Sequence, residues 1–190
     1  HLGAECLLIV GFEGDERIVQ KEDACAREVL AHCGGRDLGP EPGNRWLAHR
    51  YNVSFKMSRV FRAGAFSDTI EVATTWDRLE SLYAAVRKAV TPHAFIMAHF
   101  SHAYREGCSI YFTMAGHRKD AARAEQHYER TWEHALEAVL ASGATVSHHH
   151  GIGVHKMAAM AREHGPMLRA WRALKSTFDP VDFDPRAWAR

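Results

Sequence analysis

Short stretches of alternating or continuous apolar residues recur along the chain and predict β-strands. Five stretches share this pattern: residues 5–13, 66–74, 93–104, 108–115 and 145–150. The run at 66–74 (FSDTIEVAT) alternates with a period of two, which is typical of a half-buried strand. Arg105-Glu106-Gly107 separates the third and fourth stretches, so these two strands are expected to form an antiparallel hairpin.

Apolar residues at helical spacing predict five helices. They cover residues 16–32, 76–91, 120–142, 155–163 and 167–178. Residues 34–47 are rich in glycine and proline and are predicted to be a loop. The basic stretch 45–64 either lines a cleft that faces an anionic group or forms a solvated linker with a short helix.

The order of these elements predicts an α+β fold. Strands are joined alternately by helices and by a hairpin, which indicates a ferredoxin-like split-βαβ arrangement. We therefore expect one antiparallel-rich sheet with helices on one face, followed by C-terminal helices.

The composition excludes few function classes by itself. The chain has 190 residues and a formal net charge of +1, which offers no bulk attraction for nucleic acid. Its apolar runs are too short to cross a membrane. The four cysteines have no CxxC spacing, three are expected to be buried within predicted elements, and a reducing cytoplasm is predicted. The start at His1 indicates a piece of a longer protein.

Three adjacent histidines are the most distinctive feature of the sequence. His148, His149 and His150 end a predicted strand, and Gly151 and Gly153 follow them. Adjacent strand residues point to opposite faces, so all three can meet one ligand only if the strand ends among them. The two glycines favour such an ending because glycine permits a sharp change of direction.

The chemistry of this cluster has three interpretations. General acid–base work beside a bound cofactor is favoured, because histidine titrates near neutral pH. Metal binding is an alternative, with His99 or His102 joining His148 and His150, although no metal is expected. A structural or incidental cluster is the third interpretation.

Two further residues are candidates from their positions alone. Tyr111 lies at the centre of a hairpin strand, where core packing is common, and its phenol could exchange a proton if it faces the histidines. Lys156 lies near the start of a predicted helix and either neutralises a phosphate or flavin anion or is solvated. Asp68 and Glu71 should lie on opposite faces of their strand.

Several short segments resemble the alkylglycerone-phosphate synthase (alkyldihydroxyacetonephosphate synthase) family. Four collinear matches span almost the whole chain: Ser147-His148-His149-His150-Gly151-Ile152-Gly153, Asp68-Thr69-Ile70-Glu71 with Trp76-Asp77-Arg78, Gly107-Cys108-Ser109-Ile110-Tyr111-Phe112, and Lys175-Ser176-Thr177-Phe178-Asp179-Pro180. The wider superfamily is that of the FAD-linked oxidases of the vanillyl-alcohol-oxidase type. Its D-lactate and glycolate dehydrogenases usually have E-H-G-I-G at the histidine segment, so the triple histidine favours the synthase branch.

The resemblance implies a two-domain enzyme of which this chain is the C-terminal part. Residues 1–150 would form its substrate-binding cap domain, and residues 151–190 a C-terminal helical segment. FAD would be bound mainly by a domain absent from the chain, and residues 151–190 would pack toward it. The family exchanges a fatty acyl group for a fatty alcohol on dihydroxyacetone phosphate, without net oxidation. The family's proton-transferring tyrosine falls on Tyr111, and its essential histidines fall on His148, His149 and His150. His148 and His149 are also the cofactor-binding candidates.

The match departs from the family at the arginine that binds substrate phosphate, because that position falls on Met57. Lys56, Arg59 and Lys156 are therefore the candidate substrate-binding cations. The resemblance implies a small-molecule or lipid-like substrate, and a homodimer is compatible with it. The alternatives are an FAD-linked 2-hydroxy-acid dehydrogenase of the D-lactate or glycolate type, and a stand-alone module that binds a metal or a partner. The fragment is expected to be inactive alone.

Overall fold

The computed structural model describes residues 6–52 and 57–179, with the backbone alone for residues 57–59 and 121. The chain divides into two compact units, His1–Met57 and Ser58–Arg190. This geometric division differs from the functional division at residue 150, which stays a prediction. None of the described helices is both long and apolar enough to span a membrane.

The first unit contains two helices and no strand among its described residues. Helix α1 spans Glu16–His32 and α2 spans Glu41–His49. Asp15 caps α1 as the sequence predicts, since its carboxylate accepts the backbone N–H of Arg17 at 3.0 Å. Neither helix buries a residue, so the apolar stripe of α1 remains exposed.

Three predictions for this first unit were wrong. The predicted strand at residues 5–13 is irregular and largely exposed over its described part, residues 6–13, and it pairs with none of the described strands. An apolar run forms a strand only where a neighbour completes its hydrogen bonds. Helix α2 begins inside the predicted loop 34–47, because prolines are tolerated in the first turn of a helix. Cys6, Cys25 and Cys33 are exposed, whereas Cys108 of the second unit is buried.

The second unit contains the sheet and five further helices. Its elements are α3 (Met57–Arg62), β1 (Ala65–Thr75), α4 (Trp76–Val90), β2 (Phe95–Ala103), β3 (Gly107–His117), α5 (Ala121–Ala141), α6 (Met157–His164) and α7 (Met167–Phe178). Gly107 begins β3 in tight contact with β1, because a Cβ there would lie 2.1 Å from the backbone oxygen of Thr74. The predicted hairpin and the closing helices are present with shifts of a few residues at their ends.

The sheet has the order β1-β3-β2, and β3 is antiparallel to both neighbours. Strands β1 and β2 are therefore parallel, α4 connects them, and β3 is inserted between them. This arrangement is the split-βαβ unit, so the α+β prediction is confirmed.

Helices α4 and α5 cover one face of the sheet. The core between them consists of alternating strand residues and the buried stripes of the two helices. Its fully buried side chains include Ile70, Val72, Ile110, Phe112 and Met114 from the strands, with Leu82, Val86 and Val139 from the helices. The side chains between these strand positions point to the opposite face, which carries the candidate site.

The predicted strand at residues 145–150 was wrong. One antiparallel bridge joins Thr145 to Ala73 at the outer edge of β1, and the chain then turns away. Gly151 and Gly153 have φ values of +81° and +55°, which side chains other than glycine rarely adopt. The strand stops before the histidines, so all three can approach one point of the sheet.

Candidate functional site

A row of polar side chains crosses the open face of the sheet. Glu71 on β1 is in register with Tyr111 on β3, and Tyr111 is in register with His99 on β2. Tyr111 alternates with the buried Ile110 and Phe112, so its phenol points away from the helices. The phenol lies on the side of the sheet that the histidine segment covers, since the Tyr111 hydroxyl is hydrogen-bonded to His149.

Glu71 holds the histidine segment through its backbone. One carboxylate oxygen, Oε2, accepts the N–H groups of His148, His149 and His150 at 2.9, 3.3 and 3.4 Å. The Glu71 side chain is 0% exposed, and a buried carboxylate is costly without such partners. Because the three N–H groups converge on one oxygen, the segment is held to the sheet as a tight loop.

The ionisation of Glu71 follows from two opposed effects. Burial alone would raise the pKa of this carboxyl, but the three backbone N–H groups and the positive charge of Lys156 outweigh it, and its pKa lies below the ordinary value. Lys156 is itself buried, and its Nζ donates to the backbone oxygen of Glu71 at 2.8 Å. Burial lowers the pKa of Lys156, while the charges of Glu71 and Asp68 oppose that shift.

The imidazole rings form a continuous polar cluster with the phenol. The Tyr111 hydroxyl is hydrogen-bonded to His149 Nε2, and His149 Nδ1 lies 2.8 Å from His148 Nδ1. The His150 ring meets Tyr111 edge-on at a centroid distance of 4.7 Å, and burial lowers the pKa of His150. His102 of β2 packs 4.7 Å from His149. The cluster thus offers several proton donors and acceptors at one surface.

Three of these residues could also be considered as metal ligands. Ligand atoms of Glu71, His148 and His149 lie within 4.8 Å of one another. The 2.8 Å between the two Nδ1 atoms is, however, a hydrogen-bond distance, whereas two nitrogens around a tetrahedral zinc ion would lie about 3.3 Å apart. The arrangement is therefore that of a hydrogen-bonded pair beside a carboxylate.

A second polar group holds the loop from the helix side. Asp68 Oδ2 accepts the Tyr128 hydroxyl at 2.5 Å and Trp132 Nε1 at 3.2 Å. The Tyr128 hydroxyl also lies 3.2 Å from His155 Nε2, and the His155 ring stacks on Trp132. Burial and the neighbouring Asp68 raise the pKa of Tyr128, so its phenol stays protonated. The side chains of Asp68 and Glu71 therefore lie on opposite faces of β1, as expected.

The candidate cations have different positions. Lys56 lies outside the described residues, and the side chain of Arg59 does too. The ammonium of Lys156 is bonded to the backbone beneath the histidine loop, so direct contact with a substrate anion would require it to leave that bond. Its role as a substrate-binding cation stays a prediction.

Sequence reasoning missed the role of Glu71 and considered His102 only as a possible metal ligand. An acidic residue on a strand is usually solvated, and only the threefold backbone contact distinguishes Glu71. The available signal was the strict alternation of β1, which places Glu71 on the same face as Tyr111. His102 lies within the register shift of β2 between Phe100 and Ala103, and the sequence pattern contains no sign of that shift.

Comparisons with known proteins agree with this architecture. The family model described as "FAD linked oxidases, C-terminal domain" matches residues 1–183. The chain is similar to alkyldihydroxyacetonephosphate synthase of Dictyostelium discoideum, at 28% identity over 95% of this chain and 31% of the relative. It is similar to the protein of the same name from Trypanosoma brucei brucei, at 29% identity over 95% of this chain and 30% of the relative.

A bacterial protein and two solved structures are also similar. An uncharacterized FAD-linked oxidoreductase of Escherichia coli is 25% identical over 93% of this chain and 40% of its own length. Two structures of alkyldihydroxyacetonephosphate synthase share the fold, with TM-scores of 0.60 and 0.58 and identities of 20% and 19%. Each alignment covers 89% of this chain and 28% of the solved chain.

The synthase relatives are much longer than this chain. The chain spans about a third of the length of the two synthase relatives. The family match, in contrast, includes all of the sheet, the histidine loop and the helices that carry them. The chain belongs to the family of FAD-linked oxidase C-terminal domains.

Proposed function

We propose that this chain is the substrate-binding cap of an FAD-dependent enzyme of the alkyldihydroxyacetonephosphate synthase type. The reaction would exchange a fatty acyl group for a fatty alcohol on dihydroxyacetone phosphate. The observation that carries the proposal is the hydrogen bond between Tyr111 and His149 on an open sheet face. A phenol paired with an imidazole can pass its proton to the ring and recover it.

The open face fits a flavin in its chemical character. Met97 and Phe95 are about half exposed there, and they provide apolar surface beside the polar Tyr111 cluster. His148 and His149, which are 29% and 36% exposed, are the candidate residues for contact with the cofactor. When bound, the flavin would supply the electrophilic and redox-active ring that protein side chains lack.

The chain's own residues would bind the substrate and move one proton. Tyr111 would take a proton from the substrate and later return it, while the histidines orient the phenol. Lys56 or Arg59 would hold the substrate phosphate, and Lys156 would stabilise the histidine loop through Glu71. Residues 151–190 would pack toward the FAD-binding domain, so the fragment alone would be inactive.

A second candidate is an FAD-linked 2-hydroxy-acid dehydrogenase. The similarity to an uncharacterized FAD-linked oxidoreductase of Escherichia coli supports an oxidoreductase reaction as the alternative to group exchange. If this chain belongs to such a dehydrogenase, one histidine of the cluster would take the hydroxyl proton of the substrate. A homodimer and a cytoplasmic location also stay predictions.

The test uses the flavin-loaded enzyme that contains this chain. The enzyme is supplied with an acyl ester of dihydroxyacetone phosphate and a labelled fatty alcohol, and the ether product is measured. Tyr111→Phe should abolish exchange, whereas Tyr83→Phe should retain it, because the Tyr83 hydroxyl bonds Arg87 on the helix side. Full exchange by Tyr111→Phe would refute the role of the phenol. Flavin bleaching by 2-hydroxy acids without exchange would select the dehydrogenase.

A further inference from the structure

The two oxygens of the Glu71 carboxylate have different environments. Oε2 accepts the three N–H groups of the histidine loop, whereas Oε1 is buried and has no hydrogen-bond partner. Oε1 lies 3.3 Å from His149 Nδ1 and 3.5 Å from His148 Nδ1. A buried carboxylate oxygen without a donor is costly, so a proton on one of these nitrogens would relieve that cost.

The contacts of three residues thus follow one another through the His149 ring. The Tyr111 hydroxyl is hydrogen-bonded to His149 Nε2, and Nδ1 of the same ring lies 3.3 Å from Glu71 Oε1. A neutral imidazole carries a proton on one nitrogen only, and the negative carboxylate favours Nδ1. Nε2 is then free to accept the hydroxyl of Tyr111.

We propose that Glu71, His149 and Tyr111 act as a proton-transfer triad, in which Glu71 is the positioning residue that keeps the Nε2 atom of His149 unprotonated. The catalytic use of the triad rests on the proposed function, since Tyr111 must lose its proton before it can accept one from the substrate. The tautomer of His149 does not depend on that function.

The transfer balances within the three side chains. The O–H bond of Tyr111 breaks and its electron pair stays on the phenolate oxygen, while the lone pair of His149 Nε2 forms the new N–H bond. His149 becomes an imidazolium that retains its Nδ1 proton, and Glu71 carries the compensating negative charge. His148 Nδ1 is a second acceptor for that proton at 2.8 Å.

The surroundings keep the carboxylate ionised for this role. Its pKa lies below the ordinary value, since the three N–H groups and Lys156 outweigh the effect of burial. The other titratable groups that face the triad are His150, His102, His99 and Tyr104. Glu71 is thus the carboxylate that lies nearest the paired imidazoles in the described part of the site.

The first test determines the tautomer in the unmodified 190-residue chain. Histidine labelled with ¹⁵N reports which ring nitrogen carries the proton, and His149→Gln assigns the signal. At about pH 8, where histidine is ordinarily neutral, we expect Nδ1 of His149 to be protonated and Nε2 to be bare. A proton on Nε2 would overturn the triad. So would stoichiometric zinc binding that is lost in His149→Gln.

The second test removes the charge while it preserves the loop contacts. In Glu71→Gln the amide oxygen can still accept the backbone N–H groups. Its NH₂ group would donate to His149 Nδ1, so the proton of the neutral ring would move to Nε2. Glu163→Gln is the matched control, because Glu163 Oε2 holds the same segment through the Val146 N–H at 2.8 Å. An unchanged His149 tautomer in Glu71→Gln, or an equal change in the control, would overturn the proposal.

The third test measures exchange by the flavin-loaded enzyme. Glu71→Gln should lower kcat by about tenfold or more with little change in KM, because the reversed tautomer removes the acceptor of the Tyr111 proton. Glu163→Gln should retain kcat. A raised KM with an unchanged kcat would contradict the triad. If the unmodified enzyme has no exchange activity, the proposed function fails while the tautomer measurements still decide the triad.

Discussion

Lys156→Met tests whether the buried ammonium stabilises the histidine loop. Lys156 is 4% exposed, and its Nζ donates to the backbone oxygen of Glu71 at 2.8 Å. Methionine has a similar length and no charge, so the substitution removes the hydrogen bond and the counter-charge without opening a large cavity. The backbone oxygen and the carboxylate of Glu71 would both lose a buried partner.

The expected loss can be estimated from these contacts. Leaving a buried acceptor without its donor costs about 1–3 kcal/mol, and the loss of a nearby positive charge adds to that cost. Here the carboxylate retains three backbone N–H groups, and methionine avoids the cost of burying an ammonium. We therefore expect Lys156→Met to lower the free energy of unfolding by about 2–3 kcal/mol.

Urea unfolding followed by circular dichroism measures this change. The exposed Lys88 of α4 offers a matched control, and Lys88→Met should change stability by less than about 0.5 kcal/mol. In a Glu71→Gln background the Lys156→Met loss should be smaller, because the charge that the ammonium compensates is already absent. A Lys156→Met chain as stable as the unmodified one would refute the reasoning. It would mean that the cost of burying the ammonium equals its attraction to Glu71.

Three further predictions concern acid stability, strand contact and the second polar group. The pKa of Glu71 is lowered from 4.5 in the folded chain, so the ionised carboxylate stabilises the fold above that pH. This stabilisation is lost as the pH falls through the folded-state pKa, and Glu71→Gln should therefore flatten the acid limb of a pH–stability curve. Gly107→Ala should destabilise the chain by more than Gly151→Ala in urea titrations, since its Cβ would clash with backbone, whereas Gly151 has open space and only a strained φ. Tyr128→Phe should lower the free energy of unfolding by about 1–2 kcal/mol through the lost bond to Asp68, and equal stability would contradict that contact.

Local patterns were sufficient for the central part of the fold. The alternation in β1 and the short turn between β2 and β3 are properties of adjacent residues, and the sequence predicts them directly. The stripes of α4 and α5 predict which residues are buried, because a helix repeats its faces every 3.6 residues. The same alternation places Tyr111 on the face opposite the core once its neighbours Ile110 and Phe112 are known to be buried.

Local patterns failed where a partner distant in sequence decides the outcome. The apolar run at 6–13 has strand character but pairs with none of the described strands. The run at 145–150 pairs with β1 through one bridge, and the chain then leaves the sheet and turns at Gly151 and Gly153. Strand formation depends on a neighbour that completes the hydrogen bonds, and that neighbour is not encoded within the run itself.

The sequence by itself determined the split-βαβ pattern and the exceptional run of three histidines. Only the tertiary structure decided that Glu71, more than seventy residues before that run, accepts the backbone N–H groups of all three histidines through one carboxylate oxygen. It also decided that Lys156 is buried beneath the loop. These contacts join residues far apart in sequence, and their strength comes from burial, which exists only once the sheet, the loop and the helices have packed together.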